Sequence, residues 1–175
     1  MMFRSLIAPL LALFAGLAVG AACAQAQAPA AIVQRASLVG KTMQPATVDL
    51  QQLRGKVVML FFWSTACPVC LDKLPELRRN LQGWRGKDFV IVAVSQDRSM
   101  DDLKAYEQVL DRVTPPDAQM KIVWRRDPAH RDSFGDLPTN TPTTVILDRN
   151  GVVSKTVRGR MAPELWDDVA ELILN

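Results

Sequence analysis

Hydrophobic residues along this chain fall into segments that alternate between a strand rhythm and a helix rhythm. Lys56–Trp63 (KVVMLFFW) is a continuous β-branched and aromatic run. Its length and unbroken apolarity predict a strand buried on both faces, as in the middle of a parallel sheet. Leu71, Leu74, Leu77 and Leu81 then recur at steps of three and four, which predicts a helix of about four turns. Pro75 lies inside that helix and should kink it. Asp88–Ser95 (DFVIVAVS) reads as a second buried strand. Ser99 and Asp102 resemble a capping pair ahead of a stripe of Leu103, Tyr106, Val109, Leu110 and Val113, and Thr114-Pro115-Pro116 ends that second helix.

Lys121–Trp124 is a short third strand and Thr143–Leu147 (TTVIL) a fourth. Asn150-Gly151 supplies a tight turn, so 152–157 returns antiparallel. Leu165, Val169, Leu172 and Ile173 mark a C-terminal helix. Between Ser37 and Arg54 the pattern gives a strand or two and a turn. Residues 125–138 are polar and charged, with one helical turn near His130. The order β-α-β-α-β followed by a hairpin and a helix predicts an α/β fold, a mixed sheet with helices on both faces.

The N-terminus has a different character. Arg4 is the only charge before Arg35, and Leu6–Ala24 is wholly apolar or small. Ala22-Cys23-Ala24 and Ala24-Gln25-Ala26 both fit a cleavage site, so residues 1–24 read as a secretory signal peptide. Residues 25–36 are then a linker and 37–175 the domain. An uncut membrane anchor is the alternative, against which Pro9, Gly16 and Gly20 argue. Cys23 as a lipidation site is disfavoured by Gly20, three residues before it. Export, to the periplasm, puts the domain in an oxidising compartment, where a cysteine pair can close.

Composition narrows the field. With 175 residues, 49% hydrophobic and 22% charged, the chain has enough apolar content for one core and is neither disordered throughout nor collagen-like. Its 21 basic and 18 acidic residues are interspersed, which excludes a concentrated nucleic-acid footprint. No glycine-rich phosphate loop, paired-carboxylate motif or serine elbow is visible. His130, the sole histidine, is read as solvated, Trp84, Trp124 and Trp166 as packing residues, and Arg78-Arg79 and Arg125-Arg126 as solvated faces.

The candidate chemistry sits where the first buried strand hands over to the first helix. Cys67 starts that helix and Cys70 comes one turn later, on the same face. The free N–H groups and dipole of a first helical turn favour an anion, and such a position lowers a thiol pKa from about 8.5 into the range of about 3.5–7.5. Thiolate is the attacking species in disulfide exchange. Cys67 is therefore the nucleophile and Cys70 the thiol that resolves the mixed disulfide. A zinc site would need two more ligands, and a purely structural disulfide across so short a loop would stabilise little. Both remain weaker readings than redox chemistry.

The segment GKVVMLFFWSTACPVCLDKLPEL resembles the active-site segment of the TlpA/ResA-like branch of the thioredoxin superfamily, exported thiol–disulfide oxidoreductases. Gly55-Lys56 before the strand, Phe62-Trp63 at its end, the cysteine pair and Pro75 carry the likeness. Thr141-Pro142 ahead of an apolar strand resembles the family's second signature, Asp148–Gly151 fits the family's hairpin after that strand, and Gly159 fits the glycine beyond it. The resemblance covers about residues 37–175. It implies a thioredoxin-like fold, a central mixed sheet flanked by helices with an N-terminal β extension. It implies a cis Pro142 beside the disulfide, with Thr141 facing the sulfurs and Thr141, Pro142 and Trp63 forming the substrate-binding ground. It implies no metal and no organic cofactor, the Cys67–Cys70 disulfide being the redox centre. The partners it implies are protein thiols or disulfides and an upstream redox donor or acceptor, with no nucleic acid, and with the membrane only if the N-terminal segment stays uncut.

Three departures stand out. The buried aspartate that thioredoxins carry in the strand before the pair is matched here by Phe61, and a glutamate common three residues after the second cysteine is matched by Lys73. Either Lys73, on the face of Cys70, stabilises thiolate and tunes the thiol pKa and the potential, or it points to solvent. Ala66 stands where a tryptophan is common. Two rival functions stay open. One is a thiol peroxidase, since peroxiredoxins share the fold and place Ser or Thr where Ser64 stands. The other is a non-enzymatic metallochaperone or folding module.

Overall fold

A computed structural model describes residues 35–135 and 141–175 of the chain. The segment read as a signal peptide, and the linker up to Gln34, lie outside the described residues. Within them the order is β1 (Leu38–Lys41), β2 (Thr47–Asp49), β3 (Val57–Trp63), α1 (Pro68–Gly83), β4 (Phe89–Ser95), α2 (Met100–Val113), β5 (Lys121–Trp124), β6 (Arg131–Asp132), β7 (Thr143–Leu147), β8 (Val153–Arg158) and α3 (Leu165–Leu174).

The main sheet runs β5-β4-β3-β7-β8. β3 pairs parallel with β4 and antiparallel with β7, so it is the central strand, and all seven of its residues are buried. Alternation along it builds two cores. Val57, Met59, Phe61 and Trp63 pack with Leu74 and Leu77 of α1, Leu103 of α2 and Val169 and Ile173 of α3. Val58, Leu60 and Phe62 pack with Leu38 and Val48 of the N-terminal strands and with Leu50 just after β2. The helices therefore do not flank both faces as the pattern predicted. β3, β4 and β5 succeed one another in one direction across the sheet, and right-handed crossovers then put α1 and α2 on the same side. The opposite face is covered by a second small sheet, β2-β1-β6, which is the expected N-terminal β extension.

The local signals act as the sequence suggests. Ser99 Oγ accepts the N–H groups of Asp101 and Asp102 at 3.1 and 3.4 Å and starts α2. Gly151 turns the β7–β8 hairpin with φ +72°, which only glycine adopts freely. α1 runs on past Pro75 as a single helix. The domain begins before Ser37. Arg35 bridges Val152, and Ala36 is 4% exposed with its N–H bonded to the Gly151 carbonyl at 2.9 Å. The last two linker residues thus belong to the fold.

Candidate active site

β3 ends at Trp63, and Ser64–Ala66 carries the chain to Cys67, the N-cap of α1. The Cys67 N–H closes this loop on the Ser64 carbonyl at 3.2 Å. Cys67 has extended backbone (φ −105°, ψ 100°), and its Sγ accepts the Cys70 N–H at 3.1 Å. Pro68 at the first helical position loses nothing by lacking an N–H. Cys67 and Cys70 are joined in a disulfide with Cα atoms 5.2 Å apart. The two sulfurs are not equivalent: Cys67 is half-buried, whereas Cys70 is 0% exposed. Ala66, Pro68 and Val69 are exposed around Cys67 and make an apolar rim.

The Thr141–Pro142 peptide is cis, as the resemblance implied. Register brings it to the same end of the sheet, since Thr143 lies opposite Phe62 in the antiparallel pair. Pro142 is buried, its carbonyl bonded by the Gly159 N–H at 2.7 Å, while Thr141 is half-buried. A cleft of about 490 Å³ lined by Asp148, Arg149, Lys155 and Glu171 lies at the far end of the sheet and takes no part in the site. Among the described residues, no three His, Cys, Asp or Glu side chains are grouped to hold a metal ion.

The AhpC/TSA family profile matches residues 24–156. The chain belongs to the AhpC/TSA family. Within that thioredoxin-like family it is of the TlpA/ResA-like kind. It is 25% identical over 140 residues to the thiol–disulfide oxidoreductase ResA of Halalkalibacterium halodurans, covering 80% of this chain and 75% of that one. It is 28% identical over 130 residues to ResA of Bacillus subtilis, covering 72% and 66%. The chain thus spans about two thirds to three quarters of these relatives' lengths. The fold is that of the thioredoxin domain of a thiol–disulfide oxidoreductase from Bacteroides vulgatus, with a TM-score of 0.62 at 21% identity over 81% of this chain and 96% of that one.

Four sequence-derived assignments change in this TlpA/ResA-like framework. Trp63 is 0% exposed and its ring lies 5.3 Å from that of Tyr106. It faces the helix-side core and cannot touch a docked chain, so it packs beneath the site instead of lining it. Lys73 is neither solvated nor a lone charge. It is 8% exposed and its Nζ is 2.8 Å from Glu76 Oε2, so its cation is already compensated. Burial pushes the Glu76 carboxyl up, but the hydrogen bonds from Lys73 and Trp166 and the charges of Lys73 and Arg79 outweigh that and hold it below its ordinary value. His130 is not solvated either. It is 8% exposed, and its Nε2 lies 2.8 Å from Asp132 Oδ2. Arg125, read as half of a solvated pair, grips the same carboxylate at 2.7 and 3.0 Å.

Phe61 is fully buried, so no carboxylate reaches the pair from that position. Sequence reasoning missed a different acid, Asp97, which is 5% exposed and bonds the N–H and hydroxyl of Thr65, two residues before Cys67. Its one signal was Ser95-Gln96-Asp97 at the end of a buried strand, a spacing that lets a hydroxyl and a carboxylate bond each other.

Proposed function

We propose that the protein is an exported thiol–disulfide oxidoreductase that exchanges its Cys67–Cys70 pair with cysteines of other proteins. The observation that carries the reading is the asymmetry of the pair: one sulfur reachable at a helix N-terminus, the other sealed one turn behind it. With the pair reduced, the Cys67 thiolate attacks one sulfur of a partner disulfide. A Cys67–partner disulfide forms, and the partner's second sulfur leaves as thiolate. Cys70, deprotonated, then attacks the Cys67 sulfur. The Cys67–Cys70 bond forms, the partner's first sulfur leaves, and two electrons have passed to the partner. That second step is fast because the attacking sulfur is already in place. The reverse sequence oxidises a partner dithiol. The exposed Ala66–Val69 rim and half-buried Thr141 offer an apolar surface and backbone for a partner segment.

The relatives' thiol–disulfide oxidoreductase activity and the apolar N-terminal stretch support a task outside the cytoplasm, such as keeping cysteines of apocytochrome c or other envelope proteins reduced, or the opposite, oxidising role. Among the described residues no helix is long and apolar enough to cross a membrane. The test is trapping. Cys70→Ser should accumulate mixed disulfides with partner proteins and Cys67→Ser should not, with insulin reduction lost in both. Equal trapping by the two variants, or peroxide turnover without insulin reduction, would overturn the reading.

A further inference from the structure

The loop that delivers Cys67 is fastened by a carboxylate from the end of the neighbouring strand β4. Asp97 lies just beyond β4 and is 5% exposed. A buried carboxylate is costly unless its oxygens find donors. Here one oxygen accepts the Thr65 N–H at 2.9 Å and the Thr65 hydroxyl at 2.7 Å, and the other accepts the Ser95 hydroxyl at 2.7 Å. Its backbone is committed too: the N–H bonds Ser95 Oγ at 3.1 Å and the carbonyl accepts the Trp124 indole N–H at 2.8 Å. Next door, Gln96 donates its N–H to the Trp63 carbonyl at 2.8 Å. The ends of β3, β4 and β5 are thus joined to the residue two positions before the reactive cysteine.

We propose that Asp97 is a positioning residue for Cys67: its bonds to Thr65 keep the Ser64–Ala66 loop in the one arrangement that holds the Cys67 sulfur at the N-cap of α1. The inference rests on the reading of Cys67 as the exchanging nucleophile. Position matters because stabilisation of an anion by a helix N-terminus fades within the first turn. The carboxylate's own charge acts the other way, since a nearby negative group disfavours thiolate. The two effects separate by substitution. Asp97→Ala removes charge and bonds together. Asp97→Asn removes the charge but leaves an acceptor oxygen for Thr65.

The test is the pH profile of iodoacetamide alkylation at Cys67, read by mass spectrometry on the peptide 57–73 of reduced full-length protein. Each variant carries Cys70→Ser so that Cys67 alone reports. Asp97→Ala should slow alkylation at neutral pH about fivefold or more and move the inflection upward, while Asp97→Asn should be at least as fast as the parent. Thr65→Val, which keeps the backbone bond and loses only the hydroxyl, should move the inflection in the same direction by a smaller amount. A profile for Asp97→Ala that coincides with the parent's, or with that of Asp97→Asn, overturns the proposal. Should Asp97→Ala fail to fold, an unmoved inflection in Thr65→Val overturns it equally. A parent inflection no lower than that of a free thiol would instead sink the nucleophile assignment.

Discussion

Lys73 Nζ lies 2.8 Å from Glu76 Oε2, and the other oxygen of that carboxylate receives the Trp166 indole N–H at 2.7 Å. The trio stitches α1 to α3 just behind the cysteine pair. Because the ammonium is already balanced, Lys73→Met should shift the reduction potential by less than about 15 mV, roughly half of what a tenfold change in equilibrium constant requires. It should lower stability by about 1 kcal/mol through loss of the pair. Redox titration against glutathione and urea unfolding check the two halves. The Glu76 carboxyl is held below its ordinary value of 4.5, so its contribution is present above that pH and lost as the solution becomes more acidic.

Glu107 on α2 behaves in the opposite sense. It is 7% exposed, and its Oε1 has no hydrogen-bond partner. Burial first, and the charge of Asp111 second, push its carboxyl up to about 7, against the opposing pull of Arg78. A raised folded-state pKa contributes stability below the unfolded value, and that contribution disappears as pH rises through the folded one. The protein should therefore lose stability between mildly acidic and mildly alkaline pH. Glu107→Gln should flatten that dependence and be the more stable form on the alkaline side by on the order of 2 kcal/mol. Urea midpoints of both proteins across the interval provide the comparison.

Asp132 anchors the small sheet to the large one. Burial raises its carboxyl, but the bonds from His130, Arg125 and the Phe134 N–H, with the charge of Arg125, hold it far below the ordinary range. Arg125 also donates to the Gly135 carbonyl at 2.6 Å and stands 5.6 Å over the Phe62 ring. Asp132→Ala takes from Arg125 and His130 the buried carboxylate they share and should destabilise by about 3–5 kcal/mol. Loss of less than about 1 kcal/mol in denaturant unfolding would mean that the network is decorative.

Trp63 tests the boundary between core and site. Trp63→Ala should cost about 3–5 kcal/mol as a cavity opens beneath the cysteines. Trp63→Phe should cost much less, because the indole N–H it deletes is buried without a partner. In insulin reduction, Trp63→Phe should leave KM within about twofold of the parent, as befits a ring that no substrate touches.

Local rules made most of this molecule readable. β3, β4 and β7 are short apolar runs, α1 and α2 show their stripes and caps, and the cysteine pair falls at the corner those runs define. What was hidden depends on which side chains and strands meet once the chain has folded. Arg131 and Asp132 form a strand only because Val39 and Leu38, more than ninety residues earlier, pair with them. His130 and Arg125 look like surface residues until Asp132 compensates both. Gly40 gave no hint that a Cβ there would come within 2.8 Å of His130 Nδ1. Lys73 and Glu76 stand three apart on α1, so their pairing could have been read locally; what α3 adds on folding back is the Trp166 N–H on the same carboxylate. Polar residues are the ones misread, since burial of a charge depends on its counterpart and not on its own chemistry.

The sealed position of Cys70 has a consequence for traffic. Every incoming sulfur, whether it brings electrons or takes them away, has a single atom to meet. Supplier and recipient must therefore take turns at one berth, and a long-lived complex with either would idle the molecule for the other. Fast release, more than tight grip, is what such an arrangement rewards.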